Sequence, residues 1–596
     1  MIAAAVLLLA ALALYGASLG NPMVFDDFHI ENPATRKGYA IFPPELQLRW
    51  LSKLSFAWTF VVAGTDLYWH RLLNVLLHVA TATALFGLLA RLFAIVLKEP
   101  GTRWIAFYGA ALFLLHPVAV YSVAYLVERS IILATLFSLL ALRCAVEAQM
   151  RGSIAWLIGA AAIYFLAVSA KEHAVMLPAV AAALVVLLRS HAGISLRKFA
   201  IAAAIFGLIG LGVAFKARSL ISATYEPFSA VAIATLPEFD PRLAYPLSVM
   251  NQGWLFFRYL FTWILPWPGW MSVDLRVPFP QQLAAMPQIG GFVAWLIYPV
   301  IAALLLRRGG RLGLAGLGLL VPWLLALTES SVVRIQEPFV LYRSYLWMAG
   351  FFAILPAALW RVAPRFRHAL VACICVVFAA AALERLGSFS STYRLWDDVV
   401  QKNTGTQAPL VERGYVNRGM ARLELGQREP ALADFERAIA LNDRYPDAWI
   451  GRASAHSTAG RPAQALADLD RALSLESRYA LAWDKRCVAH LDLGRVAEAR
   501  SDCERAIALA PLNVDALVNT GTVYYRLGLN APAEVTYRRA LAVDPAHGAA
   551  NHNLGGLLLD AGRRDDIVRD HFVKGCKAGI ANACDILGRN RWGTGP

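Results

Sequence analysis

The sequence predicts an all-α protein in two parts: a polytopic transmembrane helical bundle over residues 1–384 and a helical-repeat solenoid over 412–596, joined by a linker at 385–411. Three observations carry that prediction. The 596 residues are 58% hydrophobic and only 16% charged, with a mean hydropathy of +0.51, too apolar for a soluble chain of this size. Apolar runs of spanning length, roughly 17–25 residues, recur along the first 384 positions. Beyond residue 411 the runs stop and a 34-residue period begins.

The first run, 2–19, ends in small residues as a cleaved signal would, but it lacks a basic leader and many spans follow it. It reads as a retained first helix. Further runs lie near 70–92, 104–126, 131–149, 153–169, 174–189, 198–215, 246–266, 289–306, 311–327, 344–360 and 367–384. Five basic clusters punctuate them: Arg91, Lys98 and Arg103; Arg143 and Arg151; Arg189, Arg197 and Lys198; Arg307, Arg308 and Arg311; and Arg361, Arg365 and Arg367. Placing all five in the cytoplasm gives about eleven crossings. The run at 246–266 then has both ends outside and must be re-entrant or interfacial, which suits its embedded Arg258 and its exit at Pro266 and Pro268. If it crosses, another run is miscounted or the repeats move to the cytoplasm.

Charge is unequally shared. From Glu412 onward 25 Lys and Arg face 23 Asp and Glu, leaving 31 against 18 in the first 411 residues. The basic pI of about 9.6 therefore belongs to the membrane half and serves topology. No basic stripe with interleaved aromatics marks the soluble part, so nucleic acid is not an expected partner.

On this topology several charged groups share the outer face: Asp26 and Asp27 with His29, Glu128 and Arg129, Lys171, Glu172 and His173, then Glu329, Arg334, Glu337 and Arg343. The first outer loop also carries an amphipathic stretch, 46–60, able to lie flat on a membrane surface. Vicinal aspartates beside hydrocarbon must stay hydrated or find partners, and most aspartates in such places only cap helices or face water.

In the repeats Gly426, Gly460, Gly494, Gly528 and Gly562 are in phase, as are Ala438, Ala472, Ala506 and Ala540, and Ala431, Ala465, Ala499 and Ala533. Tyr415, Trp449 and Trp483 share the large position of the first helix. This is the tetratricopeptide (TPR) pattern, in which small residues let paired helices approach and an aromatic fills the gap. The fifth repeat lacks the small residues of its second helix, as a cap often does. Such arrays bind peptides or partner domains, or serve as spacers. Cys487 and Cys503 hold positions of one repeat that normally touch, and either they or another pair can oxidise in a periplasm. Four cysteines allow three connectivities. Cys144, Cys373 and Cys375 lie in apolar runs and are expected only to pack.

Several segments in order resemble the transmembrane and TPR-containing protein O-mannosyltransferases. They are Val24 to Pro33 (VFDDFHIENP), His70 to His78 (HRLLNVLLH), Phe113 to Val118 (FLLHPV) followed by Glu128 and Arg129, then Lys171 and Glu172, and Glu337 to Ser344 (EPFVLYRS). Glu337 departs from the family pattern in being followed by Pro338, and no role is given to it. The segment Cys576 to Asp585 (CKAGIANACD) is similar to the bridged pairs of Sel1-like repeats, which implies a Cys576–Cys584 disulfide beside Cys487–Cys503.

The first resemblance implies a GT-C membrane glycosyltransferase of a bacterial inner membrane, with its repeats in the periplasm. Its donor would be a polyprenyl-phosphate sugar, and its acceptor Ser or Thr of an extracytoplasmic protein met through the repeats. A hydroxyl nucleophile needs a base at the point of attack. One of Asp26 and Asp27 fits that role, and the other would orient the acceptor or hold a divalent cation, Mg or Mn, although two carboxylates are too few to name an ion. The leaving phosphate gains charge, which suits the fork of Arg129 or Arg343, or the ammonium of Lys171. His29, His78, His116, Glu128 and Glu172 complete the substrate-binding expectations. Two other readings stay open: a GT-C enzyme acting on a lipid or glycan, and a non-catalytic TPR envelope scaffold. No pair of Gly/Pro-broken helices in matching halves points to a transporter.

Overall fold

Long runs rich in Leu and Ala favour helix, because these side chains lose little freedom there and each backbone N–H finds its carbonyl within the segment. The structure, a computed structural model, describes residues 2–27, 48–191, 196–216, 229–234, 239–405 and 408–590 and a few single positions between them. Among the described residues every regular element is a helix, and the chain divides into two compact units with the boundary after Val411.

The first unit contains α1 (Ile2–Tyr15), α2 (Trp50–Ala63), α3 (Leu67–Leu97), α4 (Thr102–Leu115), α5 (Pro117–Val123), α6 (Arg129–Arg151), α7 (Ile154–Ala170), α8 (Leu177–Leu188), α9 (Leu196–Lys216), α10 (Ala244–Ile264), α11 (Gln288–Arg307), α12 (Gly310–Ala326), α13 (Tyr345–Phe351), α14 (Pro364–Ser388) and α15 (Thr392–Lys402). Local signals set the starts and stops. Asp66 caps α3 by accepting the Tyr68 N–H at 3.0 Å, and Gly152 ends α6 at φ +61. Gly316 lets α12 lie on α11, since a Cβ there would meet the Ala302 carbonyl at 2.6 Å.

Among the described residues five helical segments are long and apolar enough to cross a membrane: Leu67–Leu97, Leu126–Arg151, Gln288–Arg307, Gly310–Ser331 and Pro364–Ser388. The α4–α5 pair, bent by 59° at His116, makes a sixth if counted as one span. Five other apolar helices are shorter, among them Ile2–Ser18 and Ile154–Ala170. The 246–266 run forms the unbroken 21-residue α10 and has no re-entrant break; the sharp bend lies at His116 instead. Tyr245 in its first turn donates to the Ser330 carbonyl at 3.1 Å, and Trp263 in its last donates to Ser344 at 3.2 Å, so both ends of α10 meet chain from the same end of the bundle.

Four of the basic clusters converge at the other end. Glu147 receives Arg91, Arg143 and Arg151, while Glu99 receives Arg311 and Arg189 donates to the Arg307 carbonyl. Twenty residues of α3 separate Arg91 from Arg71, about 30 Å at 1.5 Å per residue, comparable to a bilayer core.

The stretch expected as a linker, 385–411, is folded into the first unit. Arg385 and Lys402 both bond Asp398 and donate to the Met271 carbonyl, and Asn403 donates to the Asp274 carbonyl at 2.9 Å. Its charges were legible in sequence; their partners, more than a hundred residues upstream, were not.

The second unit stacks helix pairs beginning Glu412–Glu424 with Arg428–Leu441 and ending Gly548–Asp560 with Asp566–Lys577, then Ala581–Arg589. Gly426, Gly460, Gly494, Gly528 and Gly562 all take positive φ, 69 to 82°, at the turn between paired helices. Gly419 faces Phe435 and Gly521 faces Tyr537, each too close for a Cβ; in the third repeat the Cys487–Cys503 disulfide, with Cα atoms 5.3 Å apart, occupies that same small–large contact. Cys576 and Cys584 are also bridged. In the fifth repeat the buried Val568, Phe572 and Gly575 take up the second-helix pattern one residue late, so the pattern has shifted there and is not lost. A further period links the paired helices: Arg418–Asp434 at 2.7 Å, Arg452–Asp468 at 2.6 Å and Arg486–Asp502 at 2.8 Å. Thr520 and Thr536 stand at the same positions of the fourth repeat.

Candidate functional site

The end of the first unit away from the Glu147 cluster gathers charged groups from separate segments. After α1 the chain passes without regular structure through Asn21–Val24 and closes a turn at Phe25–Asp27. Arg71, buried in the first turns of α3, fixes this loop by donating to the carbonyls of Asn21, Pro22 and Ala124. The Asp26 N–H donates to the Tyr125 hydroxyl at 3.3 Å, and Asp27 Oδ1 accepts the Val127 N–H at 3.0 Å. The Phe25 ring lies 5.7 Å from Tyr125 and 5.4 Å from Trp396.

These contacts separate the two carboxylates. Asp27 is fully buried, its Oδ2 makes no hydrogen bond among the described residues, and burial pushes its carboxyl up to about 7 against the opposing pull of Arg71. Asp26 is exposed. His29 lies outside the described residues.

Glu128 sits next to that turn and takes the Lys171 ammonium at 2.6 Å, both groups being buried. Lys171 also rides over the Tyr342 ring at 5.2 Å; burial lowers the pKa of its ammonium and Glu128 opposes that. Glu172 receives Arg49 through both oxygens. Glu329 is a hub. It accepts His173 Nε2–H at 2.8 Å and pairs with Arg334 at 3.0 Å and Arg343 at 3.3 Å. Arg343 continues to Glu337 at 3.2 Å, and Arg334 to Glu226 at 3.6 Å. Carboxylates and cations alternate, which is what lets so much charge stay desolvated.

The structure thus brings Asp26, Asp27, Glu128, Lys171, Glu172 and Arg343 into one region and leaves three expected residues apart from any open surface. Arg129 turns inward, fully buried, donating to Asn74, Ser55, Thr59 and His70 while stacking 3.9 Å from the Phe56 ring. Its guanidinium is spent holding α2, α3 and α6 together. His78 accepts the Tyr345 hydroxyl at 2.6 Å and donates to the Leu114 carbonyl at 3.0 Å. His116 donates to the Trp263 carbonyl at 3.0 Å and caps α5 through Val118. Both imidazoles have both nitrogens occupied and serve packing.

Among the described residues no group of three or more His, Cys, Asp or Glu gathers as a metal site would, and one oxygen of Asp27, Oδ1, is taken by the Val127 N–H. Arg71, Asn74, Tyr125 and Tyr342 are the contributors that sequence reasoning missed. A polar or charged residue inside the apolar run of α3 was the available signal for the first two.

Residues 416–483 and 486–536 match the tetratricopeptide repeat family. No curated protein matches the chain. Solved structures similar to part of it include TTC0263, a thermophilic TPR protein in Thermus thermophilus, 24% identical over 30% of this chain and 96% of that one, with a TM-score of 0.27. Pseudomonas aeruginosa pilF is 19% identical over 30% of this chain and 92% of its own, TM-score 0.27. YrrB, a TPR protein with an unusual peptide-binding site, is 16% identical over 33% and 97%, TM-score 0.25.

Proposed function

We propose that the chain is a membrane-embedded GT-C glycosyltransferase that moves a sugar from a polyprenyl phosphate to Ser or Thr of an extracytoplasmic protein, with the TPR array engaging the acceptor or a partner. The observation that carries this reading is the pairing of an exposed Asp26 with a buried Asp27, held beside a desolvated charge network at one end of an apolar helical bundle. An anchor has no use for such a network; a catalyst that meets charge at a lipid boundary does.

In this mechanism the acceptor hydroxyl attacks the anomeric carbon and its proton passes to Asp26. The new C–O bond forms as the bond to the donor phosphate breaks, with inversion, and polyprenyl phosphate leaves with the electron pair. Asp27 is a positioning residue, tying the aspartate turn to Val127. Lys171, joined to the turn through Glu128, supplies positive charge near the developing phosphate.

The test is Asp26→Asn in the full-length chain, followed by mass analysis of envelope proteins. Loss of a sugar from Ser/Thr peptides, with the protein still inserted, is the expected result. Changed lipid or polysaccharide with every glycoprotein intact would move the acceptor to a lipid or glycan. An unaltered phenotype would leave the second reading, a scaffold whose work is done by its repeats, which the family match at 416–536 favours because TPR arrays bind proteins.

A further inference from the structure

The cations expected to meet the donor phosphate already have partners: Arg129 on neutral acceptors, Lys171 on Glu128, Arg343 on Glu329 and Glu337. One arginine is different. Arg258, in the middle of α10, is half-buried and meets no carboxylate or carbonyl among the described residues. Its guanidinium lies 4.7 Å from the Phe339 ring. Phe339 belongs to the same segment as Glu337, Tyr342 and Arg343, and α10 is zipped to that segment on its inner face. Gln252 donates to the Pro338 carbonyl at 2.8 Å, and Tyr259 both donates to the Val340 carbonyl and accepts its N–H.

Arg258 therefore rides at a seam. On one side is the polar segment of the site. On the other is the outer stripe of α10, where Phe261 is 50%, Ile264 65% and Leu265 52% exposed, ending at Trp267, 61% exposed. A guanidinium with no anion among the described residues, set above an apolar stripe, has the complement of an amphiphilic anion: a phosphate head for the cation and a hydrocarbon chain for the stripe. Trp267 and Trp270 at its end are of the kind that line membrane interfaces.

We infer that Arg258, seated on Phe339, binds the phosphate of the isoprenoid carrier, with the isoprenoid chain along Phe261, Ile264 and Leu265. This rests on the transferase reading above and names the donor's seat within it.

The test uses full-length protein in detergent with farnesyl phosphate as the probe. Wild type is expected to bind farnesyl phosphate at least tenfold more tightly than farnesol. Arg258→Gln should erase that difference, Arg258→Lys should keep part of it, and the melting temperature should stay close to wild type. Phe339→Leu, which leaves the charge in place, should weaken binding several-fold and covers the case in which Arg258→Gln fails to fold. Equal binding of farnesyl phosphate by wild type and Arg258→Gln overturns the assignment, as does wild type that binds no farnesyl phosphate. Displacement of the probe by dioleoyl phosphatidylglycerol as effectively as by unlabelled farnesyl phosphate also overturns it, giving the arginine to bulk lipid. If the Arg258 result fails while Asp26→Asn still abolishes glycosylation, only the seat falls. If the seat holds while Asp26→Asn changes no glycoprotein, the transfer reaction falls and the seat stands.

Discussion

The two ends of the helical bundle both carry arginines and use them in opposite ways. At the Glu147 end, Arg91, Arg143, Arg151 and Arg311 keep 30 to 60% of their side chains exposed and share two carboxylates. At the aspartate end, Arg334 and Arg343 are 7% exposed, and each reaches two carboxylates. Solvated charge is cheap and marks sidedness. Desolvated charge persists only where partners are fixed in place, and fixed partners are what a catalytic or binding site requires.

The comparison breaks most visibly if Glu329 is removed. Glu329→Gln leaves Arg334 and Arg343 each short of a buried carboxylate, and a loss of roughly 3–5 kcal/mol is expected, read as a fall in melting temperature in detergent. A loss under about 1 kcal/mol would mean that the network is wetter than its burial implies.

Asp27 gives the next effect, through pH. Its carboxyl holds a proton up to about 7 in the folded protein and, once unfolded, only to its ordinary 3.8. Between those values the folded state binds the extra proton, so stability is full below about 4 and is lost as pH rises through 7, by up to about 4 kcal/mol. Wild type should melt lower at pH 8 than at pH 5, and Asp27→Asn should flatten that slope. An unchanged slope in the variant would assign the pH response to another group.

The smallest effect belongs to the opposite end. Glu99→Gln, which removes the half-exposed partner of Arg311, should cost no more than about 1 kcal/mol, and less in high salt. A salt-insensitive loss as large as that of Glu329→Gln would erase the distinction between the two ends.

The sequence by itself determined the elements: helices from the Leu and Ala runs, the repeats from glycines 34 residues apart, and the outer charged segments from their order along the chain. These are local or periodic properties, so a single chain read in one dimension contains them. Only the tertiary structure decided which aspartate faces outward, because Asp26 and Asp27 differ only in what Val127 and Tyr125 offer from a hundred residues away. It also decided that Arg129 is structural, that 385–411 packs onto the loop at Met271, and that Arg258 is left without an anion among the described residues. An arginine looks the same in sequence whether it is paired or free; which of the two it becomes depends on the groups folding carries to within a few ångströms of it, and those come from distant segments.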